Sequence, residues 1–188
     1  MKKYGLLIMI LTGCVSVTRA QDKAPASKWV FCSFNTVGWI KGKTGSFLQL
    51  QTVNGFRKDH WFVGLGAGTD PYRVAGIPVF ADARLFFGKR PSAFFVYADE
   101  GIHYPVKKEH NNFYTIRYLK GFYSDIGMGY AFACGKRSAV VLQAGYTYKR
   151  VRERQSYWIH QAGAPDRESI DMYMYDFNRL VFKLGLRF

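Results

Sequence analysis

The sequence predicts an all-β fold, an eight-stranded antiparallel up-and-down transmembrane β-barrel. Three observations carry this reading. From Trp29 onward, eight runs alternate apolar and other residues with a period of two, and none keeps a convincing helical period of 3.6. The face opposite the apolar one carries Gly64, Gly66, Gly68, Gly127, Gly129, Gly145 and Gly185, which a soluble barrel would leave on its solvent side for no packing return. No apolar run approaches the roughly 20 residues that a membrane-spanning helix needs, so a helical membrane protein is excluded. With 188 residues the chain has the length of one domain, and 18% aromatic residues exclude disorder.

The chain opens with Lys2 and Lys3, an apolar stretch from Gly5 to Leu11, and the small-residue end Thr18-Arg19-Ala20. This is the pattern of a secretory signal peptide over 1–20, followed by a short segment 21–28 and the barrel over 29–188. Leu11-Thr12-Gly13-Cys14 overlaps it as a lipoprotein-type site, leaving cleavage before Gln21 or processing at Cys14 as alternatives. The whole chain carries 27 basic and 13 acidic residues; removing Lys2, Lys3 and Arg19 leaves 24 against 13, or +11. Export disfavours nucleic acid as the partner of this charge. Three cysteines make no disulfide framework, and Cys32 and Cys134 are expected as free thiols on strands too far apart to bridge.

The two first runs, about 29–40 and 45–54, are ambiguous in face, because Phe31, Phe34 and Val37 do not share a parity. The other six agree. Trp61, Val63, Leu65 and Ala67 oppose Phe62, Gly64, Gly66 and Gly68; Val79, Ala81, Ala83 and Leu85 oppose Phe80, Asp82, Arg84 and Phe86. Phe94, Val96 and Ala98 oppose Phe95, Tyr97 and Asp99; Ile126, Met128, Tyr130 and Phe132 oppose Asp125, Gly127, Gly129 and Ala131. Val140, Leu142, Ala144 and Tyr146 oppose Val141, Gln143, Gly145 and Thr147, and Leu180, Phe182, Leu184, Leu186 and Phe188 oppose Arg179, Val181, Lys183, Gly185 and Arg187. Apolar side chains toward lipid, with a crowded polar interior, are the pattern of a membrane barrel. The glycines are expected to make room for Tyr97, Arg84 and Phe80. About ten residues per strand at about 3.3 Å and 45° tilt span near 23 Å, close to the apolar band of such a barrel.

Loop lengths give the sidedness. Asn54 to Asp59, Gly88 to Pro91 and Gly135 to Arg137 read as short turns on one side, while Pro105 to Leu119 and Arg150 to Met172 read as long outer loops.

The run GLGAGTDPYRVAGIPVFADARLFFGKRPSAFFVYADEGIHYPV, followed by GMGYAF, LQAGYTYKR and the terminal NRLVFKLGLRF, resembles the small outer-membrane β-barrel proteins common in Bacteroidetes. The resemblance implies an OmpA/OmpX-like barrel in the outer membrane of a Gram-negative bacterium, with no shared catalytic motif; with nothing following Phe188, the peptidoglycan-binding domain of some larger relatives is not expected. It also implies that Phe188 serves as an assembly signal read by the barrel-insertion machinery.

Asp82, Arg84, Asp99, Asp125, Lys183 and Arg187 are the expected lumen ion-pair network, with Lys149 near its outer end. Charges inside so narrow a barrel must pair, and the network should plug it. Lys107, Lys108, Arg150, Arg152, Arg154 and Arg167 are basic residues of the expected outer loops, interrupted by Glu153 and Glu168; they would face anionic lipopolysaccharide or be simply a solvated loop surface. A surface partner for these loops is not named by the sequence. His60, His103, His110 and His160 have no metal-ligand spacing, so no metal, cofactor or catalytic residue is assigned. The principal expectation is a non-enzymatic barrel with a plugged lumen. The alternatives are a lipid A-modifying enzyme built on Ser124, His103 and Glu100, a narrow pore, and a soluble ligand-binding barrel.

Overall fold

The computed structural model describes residues 28–88, 92–106, 108–110, 114–135, 138–159 and 167–188. Ten strands follow in order: β1 Val30–Gly42, β2 Gly45–Lys58, β3 Trp61–Gly68, β4 Gly76–Phe87, β5 Ala93–Pro105, β6 Lys108–His110, β7 Tyr114–Leu119, β8 Gly121–Ala133, β9 Ala139–Ile159 and β10 Arg167–Arg187. Eight of them close a ring, β1-β2-β3-β4-β5-β8-β9-β10, with antiparallel pairing throughout and β10 returning to β1. Closure is completed at the very end of the chain, where the Phe188 N–H donates to Ser33 O at 3.0 Å and the Ser33 N–H to Phe188 O at 2.8 Å. A closed ring leaves its spanning part without an unpaired edge, the condition for backbone in hydrocarbon.

The wall sorts by parity as expected. Val37, Trp39, Leu48, Leu50, Val63, Leu65, Val79, Ile126, Leu142, Leu184 and Leu186 are exposed on its outside. An apolar belt of this extent on the outside of a closed barrel is the surface that a bilayer covers. The ambiguity of the first run resolves here: Phe31, Val37 and Trp39 face outward while Phe34 is fully buried in the lumen. Phe34 is inward because that end of the lumen is itself apolar, packed with Phe62, Phe86, Phe95 and Val141. Close approach across the interior needs glycine at defined places: a Cβ at Gly66 would strike the Phe80 ring, and one at Gly145 would strike the Tyr97 hydroxyl.

Three expectations about connections need correction. Asn54-Gly55 is not a turn; β2 runs on to Lys58, Gly55 packs against Gly64 across the ladder, and the chain turns at Asp59 and His60, with Asp59 at φ 53°. The alternation of Phe56 and Arg57 outlasts the Asn-Gly signal. The Arg150–Met172 segment is not a loop either. β9 and β10 are 21 residues each and stay paired from Arg187↔Ala139 to Arg167↔Ile159. Likewise, 105–119 contributes β6 and β7, and β7 pairs with β9 at Tyr114↔Tyr157 through Leu119↔Arg152. The upper halves of β10 and β9 with β7 and β6 therefore form a four-stranded arm projecting from the barrel mouth. Ladder hydrogen bonding to β9 holds these polar, Arg-rich stretches as strand where composition alone suggests loop. Residues 1–27, holding the expected signal peptide and all but the last residue of the short segment 21–28, and residues 89–91, 107, 111–113, 136, 137 and 160–166 lie outside the described residues.

Candidate functional site: an ion-paired lumen closed by a folded-in loop

The lumen is filled in layers. At mid-barrel, Asp82, Asp99 and Asp125 are register partners side by side on β4, β5 and β8. Strand alternation places all three inward. Arg84, two residues along β4 and hence on the same face, closes on Asp82 with Nη2–Oδ2 at 2.6 Å and Nε–Oδ1 at 3.0 Å. Lys183 reaches from β10 to Asp125 at 2.7 Å and lies 3.7 Å from Asp99. Tyr97 donates to Asp125 Oδ1 at 3.0 Å, and Tyr123 takes hydrogen bonds from Gln49 and Gln51 at 3.1 and 2.9 Å. The Arg84 guanidinium also lies 3.9 Å above the Phe34 ring, joining the ionic layer to the aromatic one beneath it.

Five of the six residues expected to form the network thus meet: Asp82, Arg84, Asp99, Asp125 and Lys183. Arg187 does not. It is buried near Cys32 at the far end of the lumen, and among the described residues it has no carboxylate partner. One residue before the C-terminal Phe188, it stands too far along β10 to reach the mid-barrel aspartates. Cys32 and Cys134 are both free.

A second ionic layer, absent from the sequence expectation, lies at the barrel mouth. The β3–β4 connection folds down into the barrel mouth, burying Asp70, Tyr72 and Val74. Asp70 pairs with Arg179 at 2.7 Å and Lys149 at 3.1 Å, all three with side chains 0% exposed. The Lys149 ammonium also donates to Tyr72 O at 2.8 Å and Val74 O at 3.0 Å, so one cation holds a carboxylate and two backbone carbonyls of the same loop. The Tyr72 hydroxyl accepts from the Thr44 N–H at 3.2 Å, tying the loop to the β1–β2 turn. Burial alone would raise the Asp70 carboxyl; Arg179, then Lys149, outweigh it and hold the group below its ordinary value. The available signal was Arg179, which shares the inward parity of Lys183 and needs an acid at its own height. Asp70 itself carries no such signal, because loop residues have no parity.

His103 is buried in the lumen, not in a loop, and so lies across the wall from Glu100 and Ser124. Ser124 Oγ does donate to Glu100 Oε1 at 2.8 Å on the outer face, but the Ser-His-Glu arrangement sketched from sequence is not assembled. His60 Nδ1 sits 2.9 Å from Phe86 O at a turn; the His110 side chain and His160 lie outside the described residues. Among the described residues no group of three metal-ligating side chains converges. Glu100 is an acid on a lipid-facing strand position between Ala98 and Ile102. Replacing it with leucine is expected to stabilise the folded barrel by about 1 kcal/mol or more, since a lipid-side carboxylate is unfavourable; urea titration of the bilayer-embedded protein checks this.

Of the outer basic residues, Arg150, Arg152 and Arg154 lie on β9 and Arg167 begins β10. Arg150 pairs with Asp176 at 2.8 Å. Lys108 lies on β6 opposite Arg117, and Lys107 is outside the described residues.

A closed ring of eight antiparallel strands, apolar outside and ionic within, defines a small β-barrel of the outer-membrane type. No protein-family model and no curated protein sequence matches the chain. Among solved structures it is similar to Neisserial surface protein A, with 12% identity over 85% of this chain and 95% of that one and a TM-score of 0.52. It is also similar to the N-terminal β-barrel domain of Pseudomonas aeruginosa OprF, with 13% identity over 84% and 97% and a TM-score of 0.48. Outer membrane protein AlkL, determined in DMPC lipid bilayers, gives 10% identity over 90% and 93% and a TM-score of 0.48. At such identities the likeness speaks to fold, and the Neisserial protein carries it.

Proposed function

We propose that this chain is a non-enzymatic outer-membrane barrel whose lumen is plugged and whose work is done by the surface it holds at the outer face. The observation that carries this reading is the pair of stacked ionic layers inside an apolar wall. Asp82–Arg84 with Asp125–Lys183 fill the middle, and Asp70–Arg179–Lys149 fill the mouth. Side chains fill the interior of barrels this narrow, so solute has no continuous path. The basic and apolar start of the chain supports export, and the resemblance to barrels common in Bacteroidetes supports a Gram-negative outer membrane as its host. The arm of β6, β7, β9 and β10 is then the part that meets lipopolysaccharide and whatever lies beyond the cell, while Phe188 is the part offered to the insertion machinery.

Reconstitution into planar bilayers tests the plugged scaffold. The expected result is silence at neutral pH together with heat-modifiable gel migration. Steady single-channel steps from the intact protein would favour a pore, and recovery in the detergent-free periplasmic fraction would favour a soluble barrel.

A further inference from the structure

On the outer face of the arm, two arginines stand directly opposite one another. Arg154 of β9 and Arg117 of β7 are register partners, so their side chains leave the same side of the sheet on neighbouring strands. That side is the lipid-facing one. Leu142, Ala144, Tyr146, Tyr148, Arg150, Arg152 and Arg154 share one parity along β9, and the lower members of the series form the apolar wall. β7 joins this face through one extra residue near Lys120: Leu119 pairs with Arg152 but Tyr123 pairs with Lys149, four steps against three. The bulge shifts parity, which hides Arg117 from a count carried up from β8.

Like charges facing each other across a ladder destabilise it. The neighbouring cation shows the usual remedy, since Arg150 is neutralised by Asp176. Among the described residues, neither Arg117 nor Arg154 has an ion pair. Between them lies a recess of about 190 Å³, lined by Thr115, Arg117, Arg154, Ser156 and Glu168. Arg154 is some eight residues beyond Tyr146, which is near the middle of the spanning part of β9. That is about 26 Å along the strand and about 20 Å along the membrane normal at a tilt near 40°, against about 12 Å for half an apolar band. The pair therefore stands at headgroup height, above the wall that acyl chains cover.

We propose that Arg117 and Arg154 form a seat for a phosphate group borne by an outer-leaflet glycolipid, resting on the outer-membrane placement given above. Two guanidinium forks offer bidentate hydrogen bonds to phosphate oxygens. The phosphate relieves the repulsion between them, and the continuity of this face with the lipid-covered wall selects a lipid as its carrier.

The test uses the full barrel in neutral detergent micelles, titrated with bisphosphorylated lipid A and followed by Trp158 emission, with urea stability measured in parallel. The proposal expects saturable binding that Arg117→Gln/Arg154→Gln weakens at least tenfold and that Arg73→Gln, on the mouth loop, leaves unchanged. It also expects Arg154→Gln to stabilise the lipid-free arm while weakening lipid binding, a change of sign that a merely structural arginine would not give. Equal binding of dephosphorylated lipid A would overturn it, as would unchanged binding by the double variant. Saturation by inorganic phosphate at the same affinity would overturn the lipid as source. Failure of the outer-membrane placement is read separately, by fractionation.

Discussion

Asp70→Ala is expected to release the β3–β4 loop from the barrel mouth. The change leaves Arg179 and Lys149 fully buried without their carboxylate. Removing one partner of a buried ion pair costs on the order of 3–5 kcal/mol. The chain can limit that cost by undocking the loop and letting water reach the two cations, so the effect should concentrate in residues 69–75. Arg73 is exposed within this loop and is a trypsin site that docking should protect. Cleavage after Arg73 should therefore accelerate at least tenfold in Asp70→Ala, while conductance stays absent because the mid-barrel layer remains. Unchanged protection would show that the ion pairs do not hold the loop.

The pH dependence has a definite sign. Arg179 and Lys149 hold the Asp70 carboxyl below its ordinary value, so its contribution to docking is present above the unfolded value of about 3.9. It is lost as pH falls through the lower folded value. Amide exchange over 69–75, corrected for its intrinsic rate, should match at pH 7 and pH 5 and rise only below about pH 4.

Lys183→Met acts deeper. Asp99 and Asp125 are register partners, and Lys183 is the cation shared between them. Arg84 is already committed to Asp82 through three hydrogen bonds. Methionine fills similar volume but leaves two facing carboxylates in a closed interior, again at a cost of about 3–5 kcal/mol. No loop can undock here, so the whole barrel should bear the loss as a lower urea midpoint. Adding Asp125→Asn removes one negative charge and keeps an acceptor for the Tyr97 hydroxyl. The double variant should recover most of the stability. A single variant as stable as the parent, or a double variant no better than the single, would contradict the assignment.

The wall and the mid-barrel ionic layer were legible because strand parity is rigid: once Leu180 to Phe188 fix one face of β10, Lys183 can only point inward. The same rule carried Asp82, Asp99 and Asp125. It failed where parity is undefined or broken. Asp70 sits in a loop, and Arg117 lies beyond a bulge. Phe34 follows parity but defies the expectation that apolar means outward, because an aromatic layer closes that end of the lumen. The arm reads from sequence as two loops because charged and hydroxyl residues interrupt its strands, leaving only short apolar series such as Ile170, Met172 and Met174, and only pairing with β9 shows them to be sheet.

The most direct test of the central claim is depth-resolved quenching of a single tryptophan. Trp39 lies on the outer wall beside Phe182, with ring centroids 6.3 Å apart. With Trp29, Trp61 and Trp158 changed to Phe, its emission should be quenched strongly by lipids brominated on their acyl chains and hardly at all by aqueous iodide. Strong quenching by iodide with none by brominated lipid would place this face in water and contradict the account.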